Sequence, residues 1–325
     1  MCKAKGWLFT ILLIIFLLTG WVAQVQSQEK YPTRAIDLII PFAPGASTDL
    51  VARIAADYLN KIWKVPVNVI NKPGGNTVPA CLEVYSAKPD GYTLLVDNNP
   101  SSSMTPIVVK KLPYKIMDRA FIAIISEVPM VPIVHSGSPF KSLKDLEIEA
   151  KKDPESFTWT SLGGAGAQDF TCRQFLKAIG IDVTKTKPVM APGGAPAVAL
   201  TAGGHVKMGV GTTSGALPAI KAGTVRPLAI TSKTREPNLP DVPTTAELGY
   251  PTVSCIYWIG FSGPPNLPSH IIENFDKALQ EMLKDPMVLS RLDKIMAMPS
   301  YKNAQEMREF VMKEAEEVAI LWGLK

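Results

Sequence analysis

A two-lobed α/β protein is what this sequence predicts, and three observations carry that reading. Setting aside residues 1–27 of the 325 leaves 298 residues, more than one hydrophobic core usually serves. Apolar runs alternate with helix-period stripes along most of that length, the signature of helices layered on mainly parallel sheets. A strand, a Gly/Pro turn and a helix start occur at residues 36–53, and the same order returns at residues 157–169 in the second half.

The leader settles the compartment. Lys3 and Lys5 precede an apolar run, Trp7 to Leu18, of signal-peptide length and too short for a stable membrane span. Val25-Gln26-Ser27 allows cleavage before Gln28; cleavage after Ala23 and an uncleaved anchor helix are the alternatives. Cys2 lies ahead of the run, so no lipid anchor is indicated. An exported chain is expected. Removing Lys3 and Lys5 lowers the formal charge from +5 to +3, and the remaining basic residues are scattered, which leaves no nucleic-acid footprint. Cys81, Cys172 and Cys255 form neither a disulfide framework nor a zinc motif; one disulfide is open, and buried apolar roles are the default.

Strands are expected at Ile36–Ile40, Val67–Ile70 and Thr93–Val96, with helices from Ser47 and over 78–87 between them. Two further strands follow, Phe121–Ile125 and Val131–Val134; Pro129 and Pro132 mark a crossover there rather than a central strand. The second set comprises helix Leu143–Lys152, strand Phe157–Thr160, helix Gln168–Ile179, helix Pro196–Ala202, strand Val206–Val210, helix Gly215–Lys221 and strand Val225–Ile230. A Pro-rich loop at 234–252 leads to a return strand, Val253–Gly260, and two amphipathic helices close the chain.

Each strand–turn–helix unit reads as an anion cup. A helix start presents unpaired N–H groups and partial positive charge, and glycine lets a backbone approach a ligand closely. The first opens at Ser47, Thr48 and Asp49 after a Pro/Gly turn; the second carries Gly163, Gly164 and Gly166 within residues 157–169. The same residue types also serve as plain helix caps. The second loop is neither a dinucleotide fingerprint nor a Walker loop. Two acids at facing helix starts would repel an anion, so Asp49 and Asp169 either cap their helices or meet an amine or a protonated group. His135, His205 and His270 lie far apart, and no nucleophile–base motif is evident, so neither catalysis nor a metal or cofactor is expected.

An ordered set of short segments resembles a known family: Pro41-Phe42-Ala43-Pro44-Gly45-Ala46-Ser47-Thr48-Asp49, Asn71-Lys72-Pro73-Gly74-Gly75-Asn76, Lys88-Pro89-Asp90-Gly91-Tyr92-Thr93, Gly193-Gly194-Ala195-Pro196-Ala197 and Leu239-Pro240-Asp241-Val242-Pro243-Thr244. Together they resemble the extracytoplasmic solute-binding receptors of tripartite tricarboxylate transporters, the Bug (TctC) family, across essentially the whole mature chain. The resemblance implies a periplasmic-binding-protein (Venus flytrap) fold with two crossover segments. Its lobes would comprise residues 28–130 with 253–325, and residues 131–252. It also implies a periplasmic monomer that holds a small carboxylated solute in the cleft and delivers it to membrane transporter subunits. By position the resemblance assigns binding to Gly45, Ala46, Ser47, Thr48 and Asp49 with Phe42 in the first cup, to Ser161, Gly163, Gly164, Ala165, Gly166, Ala167, Gln168 and Asp169 in the second, and to Asn98, Ser101, Thr212 and Thr213. An exported hydrolase or isomerase, or a receptor feeding a sensor kinase, is the alternative. Departures from the family's pattern concern the ligand: Ala46 replaces a usual Gly, Asp97 a small Gly, Asp169 a frequent His, and Ala191-Pro192 a Tyr-Lys pair.

Overall fold

The computed structural model describes residues 31–324; the expected signal peptide lies outside them. The first half begins with β1 (Ile36–Ile40), α1 (Ser47–Trp63), β2 (Val67–Asn71), α2 (Val78–Tyr85) and β3 (Thr93–Asn98). In α1 the buried residues Val51, Ala52, Ile54, Ala55 and Leu59 recur at helical spacing. The helix ends at Lys64, which turns left-handed (φ 59°) and donates its N–H to Asn60 O. A wide turn over Pro100–Met104 and the short α3 (Thr105–Val108) lead to β4 (Ala120–His135).

The second half contains α4 (Leu143–Lys152), β5 (Thr158–Ser161), α5 (Ala167–Ala178), β6 (Lys187–Met190), α6 (Gly194–Ala202), β7 (Gly209–Thr212), α7 (Thr213–Lys221) and β8 (Val225–Pro227). The chain then returns through β9 (Ile256–Gly263), α8 (Ser269–Met282), α9 (Pro286–Lys294), β10 (Met298–Asn303) and α10 (Ala304–Leu321).

The main sheet runs β10-β4-β9-β3-β1-β2, and β7 and β8 pair with β4 as well. Mainly parallel sheets were the expectation, and the structure corrects it. Only β1–β2, β1–β3 and β5–β6 are parallel, while β9 and β4 run antiparallel to their neighbours. A second correction concerns β4. The two short strands expected around Pro129 and Pro132 are one strand of 16 residues. Its pairing with β9 ends at Pro129↔Ile256, and its pairing with β7 begins at Met130↔Thr212. Pro129 thus sits at the change of partner, where a missing ladder N–H disrupts least. The crossover segment is the strand itself.

Two separate buried clusters accompany that change. One gathers Ile39, Leu95, Phe121, Ile124, Trp258 and Val311; the other gathers Val131, Ile133, Val198, Ala216 and Val225. The fold is therefore two-lobed. Other boundaries move by a few residues. β7 lies three positions later than the strand expected at Val206–Val210, and β9 begins at Ile256 instead of Val253. The regular strand expected over Val225–Ile230 stops at Pro227, leaving one isolated bridge at Ile230↔Thr244. Between the two closing helices the sequence reading passed over α9 and β10. The signal was present: Asp285 caps α9 by accepting from Met287 N and Val288 N, with Pro286 in the first turn. Cys81, Cys172 and Cys255 are all buried and unbridged.

Candidate functional site

The start of α1 shows how one helix end is made. Gly45 turns left-handed (φ 81°), and Ala46 follows in extended geometry. The first helical bond runs from Leu50 N to Ala46 O, so the N–H groups of Ser47, Thr48 and Asp49 precede the ladder. Asp49 turns away from the opening: its carboxylate accepts from Gly45 N and Asn71 Nδ2, each at 3.0 Å, and pairs with Arg53 at 2.9 Å. Burial would raise its pKa, but the hydrogen bonds from Arg53, Gly45 and Asn71 outweigh that and hold it below the usual carboxylate range.

The start of α5 differs from the expectation in one respect. The glycine loop's amides do point inward together, but onto the protein's own carboxylate. Asp169 accepts from Leu162 N (2.8 Å), Gly164 N (3.0 Å), Gly166 N (3.1 Å) and the Ser161 hydroxyl, while Gly163 N donates to Ser161 Oγ. Ser161, Leu162, Gly163, Gly164, Gly166 and Asp169 therefore form a hydrogen-bonded knot, and neither they nor Ala165 line the cleft. Burial pushes the Asp169 carboxyl upward against those hydrogen bonds. What α5 does present to the cleft is its first turn, Ala167 and Gln168. Phe170 N opens the ladder by donating to Gly166 O.

Two more helices begin at the same place. Gly193 (φ 127°) turns the chain into α6, whose first residue Gly194 lines the cleft. Thr212 caps α7, its Oγ1 accepting from Gly215 N at 3.1 Å. The cleft is thus bounded by the starts of α1 (Ala46, Ser47, Thr48), α5 (Ala167, Gln168), α6 (Gly194) and α7 (Gly211, Thr212). Phe42, Pro100, Met130 and Tyr257 complete it, around a cavity of ≈ 30 Å³ that opens to solvent. No lining residue carries a charged side chain. Each helix start contributes roughly half a positive charge, so the arrangement favours an anion without a basic side chain.

Hydroxyl groups cross the cleft. Ser47 Oγ lies 2.5 Å from both Thr212 Oγ1 and Ser214 Oγ, and Thr48 Oγ1 bonds Tyr257 OH at 2.9 Å.

Of the residues expected at the site, Phe42, Ala46, Ser47, Thr48, Ala167, Gln168 and Thr212 come together at the cleft. Gly45 and Asp49 are bonded to each other at the turn before α1 and do not line the cleft. Thr213 is buried, its hydroxyl facing Met296 O. Asn98 and Ser101 are fully buried in a polar knot around Asp97 instead of facing the cleft. Asp97 accepts from Ser101, Ser102 and Ser262 and pairs with the buried Arg119 at 3.2 Å. That knot, together with Asn99 and Ser103 held by Glu314, fixes the wide turn whose Pro100 reaches the cleft. Pro100, Met130, Gly194, Gly211 and Tyr257 were missed. Gly194 alone had a visible signal, the same Gly-before-helix pattern that marked the other two openings.

The sequence profile of the tripartite tricarboxylate transporter family receptor matches residues 51–321. The chain belongs to that family. Protein BugT of Bordetella pertussis (strain Tohama I) is 30% identical to this receptor over 310 residues, covering 93% of this chain and 92% of that one. Among solved structures, periplasmic binding protein BugD is 28% identical with a TM-score of 0.83, covering 90% of this chain and 98% of its own. R. palustris Rpa4515 with adipate is 26% identical with a TM-score of 0.85, and MatC from Rhodopseudomonas palustris with bound malate is 25% identical with a TM-score of 0.81. Each of the two covers 90% of this chain and 99% of its own. The receptor therefore has the periplasmic-binding-protein fold and is a solute-binding protein. No helix among the described residues is long and apolar enough to cross a membrane.

Proposed function

We propose that this receptor captures a small carboxylated organic solute in the cleft, outside the cytoplasm, and hands it unchanged to the membrane subunits of a transporter. The lobes in this reading divide near residues 130 and 252, and the chain acts as a monomer. One observation carries the ligand class: four helix starts meet at a cleft whose lining is uncharged. Solved relatives with malate and adipate support it. The donors are the main-chain N–H groups of Ser47, Thr48, Ala167, Gln168 and Gly194, with the bonded Thr48–Tyr257 hydroxyl pair and the Gln168 amide completing the grip. Asp49 and Asp169 act by shaping the two openings, as do Gly45 and Gly163–Gly166.

A proline substitution tests the main-chain grip directly. Gly166 is extended (φ −109°, ψ 157°), the geometry that the residue before a proline adopts. Ala167→Pro therefore removes one cleft-facing N–H at a helix position where proline is tolerated. Titration calorimetry with malate and adipate as probes should show binding of at least one by the wild-type chain. In Ala167→Pro that affinity should fall about 10- to 100-fold, as expected for one hydrogen bond to a charged group, with little change in melting temperature. Undiminished binding by a folded Ala167→Pro protein would remove the main-chain grip from the account.

A further inference from the structure

The hydroxyl bridge at Ser47 has a chemistry that the capture of a solute leaves unexplained. Ser47 is the first residue of α1, and its Oγ lies 2.5 Å from Thr212 Oγ1 and 2.5 Å from Ser214 Oγ. The partners are 165 and 167 positions away in sequence, on the cap and first turn of α7, which packs with β7 and β8 on the far part of β4. The bridge joins the two lobes. Either oxygen of each pair can donate, and one arrangement satisfies all the contacts: Thr212 Oγ1 accepts from Gly215 N as the α7 cap and donates to Ser47, and Ser47 donates to Ser214. All three hydroxyls are buried, and in that arrangement Ser47's hydrogen is taken by this chain, leaving its main-chain N–H to donate to a solute.

The electrostatics explain what such a bridge would do. The starts of α1 and α7 bring like partial charges together across the cleft, which opposes approach of the lobes. An anion between them relieves that repulsion. A chain of neutral hydroxyls relieves part of it without an anion, because oxygen lone pairs and O–H dipoles reorient to suit both ends. We propose that Ser47, Thr212 and Ser214 form an interlobe latch that holds the lobes together independently of solute, and that Ser47 is a positioning residue whose hydroxyl does not touch the solute. The inference rests on the solute-capture reading only for its consequence: the latch sets how much of the intrinsic affinity reaches the observed value, since a site competent in a fraction of molecules binds weaker by that fraction.

The experiment has two arms. Spin labels at the exposed Lys61 and Lys221 positions, at the far ends of α1 and α7, report lobe separation without any solute. Pulsed electron-spin distance measurements should show longer distances in Ser47→Ala and in Ser214→Ala than in wild type. Ser47→Thr, which keeps the hydroxyl, should restore the wild-type distribution. In the second arm, affinity for malate or adipate should fall roughly threefold to tenfold in Ser47→Ala, the scale of a neutral hydrogen bond. The Ser47→Ala/Ser214→Ala pair should lose little more than Ser47→Ala alone, because both act on one device. Unchanged distances in Ser47→Ala, or losses that add, would overturn the latch. If neither probe binds any form, the carboxylate reading fails while the distance arm still decides the latch.

Discussion

Asp97, Asp169 and Glu314 are buried carboxylates, each ringed by donors, and none of them lines the cleft. Each gathers a loop that would otherwise be loose: Asp97 the wide turn after β3, Asp169 the glycine loop before α5, Glu314 the Asn99 and Ser103 side chains from the opposite side. Negative charge is thereby kept off the cleft surface while the loops that shape it are fixed. Glu314 gives this a measurable pH signature. Burial raises its pKa from the ordinary 4.5 to about 7, against hydrogen bonds from Ser103, Trp258 and Asn99. The folded chain therefore holds a proton that the unfolded chain has released between those values. The associated stability is complete below about pH 4.5 and is lost as pH rises through about 7, by on the order of 3 kcal/mol. Glu314→Gln cannot titrate. Urea midpoints should show the wild type losing stability relative to Glu314→Gln between pH 5 and pH 8; parallel pH profiles would show that the carboxyl stays ionised throughout.

The element on which the site depends most is β9, which lies between β3 and β4 and carries Tyr257 to the cleft. Gly260 lies where β9 faces both neighbours, paired with Asp97 on one side and Ile124 on the other. A Cβ added there would meet Ala123 O at 2.4 Å and Ile124 Cα at 3.0 Å, and both are backbone atoms that cannot rotate aside. Gly260→Ala should cost about 1–3 kcal/mol, the range for overpacking, seen as a lower denaturation midpoint with an unchanged circular-dichroism spectrum. A midpoint equal to wild type would mean that the β4–β9 spacing is softer than the contact implies. Features of this kind also mark the limit of sequence reading. The openings before α1 and α5 were legible because a turn, a cap and a helix start are decided by residues a few positions apart. The continuity of β4 was not, since Pro129 and Pro132 read locally as interruptions and only the exchange of β9 for β7 makes them tolerable. The destination of the Gly164 and Gly166 amides was equally hidden. The sequence shows donors and a nearby acid, but not that the acid folds back to take them.

Across the whole molecule, the two clusters are joined by β4, and the cleft lies where pairing on β4 passes from one set of strands to the other. A solute gripped from α1 on one side and from α5, α6 and α7 on the other contacts both halves at once. In the proposed cycle its binding draws the lobes together, so surface beyond the solute's own is removed from water. Two consequences follow for calorimetry with a probe that binds, malate or adipate. At 100 times its dissociation constant the probe should stabilise the fold by about 2.7 kcal/mol, by mass action alone. That figure applies to a rigid cleft and to a closing one alike, so it reports binding and not motion. The heat-capacity change separates them. Burial of apolar surface makes it negative, and short diacids have little apolar surface to offer. A strongly negative value across 10–35 °C therefore requires protein surface, closing over the site, as its source. Ser47→Ala should make it more negative, because a chain that starts more open has more surface left to bury. A value near zero in both forms would describe a cleft whose lobes do not move on binding.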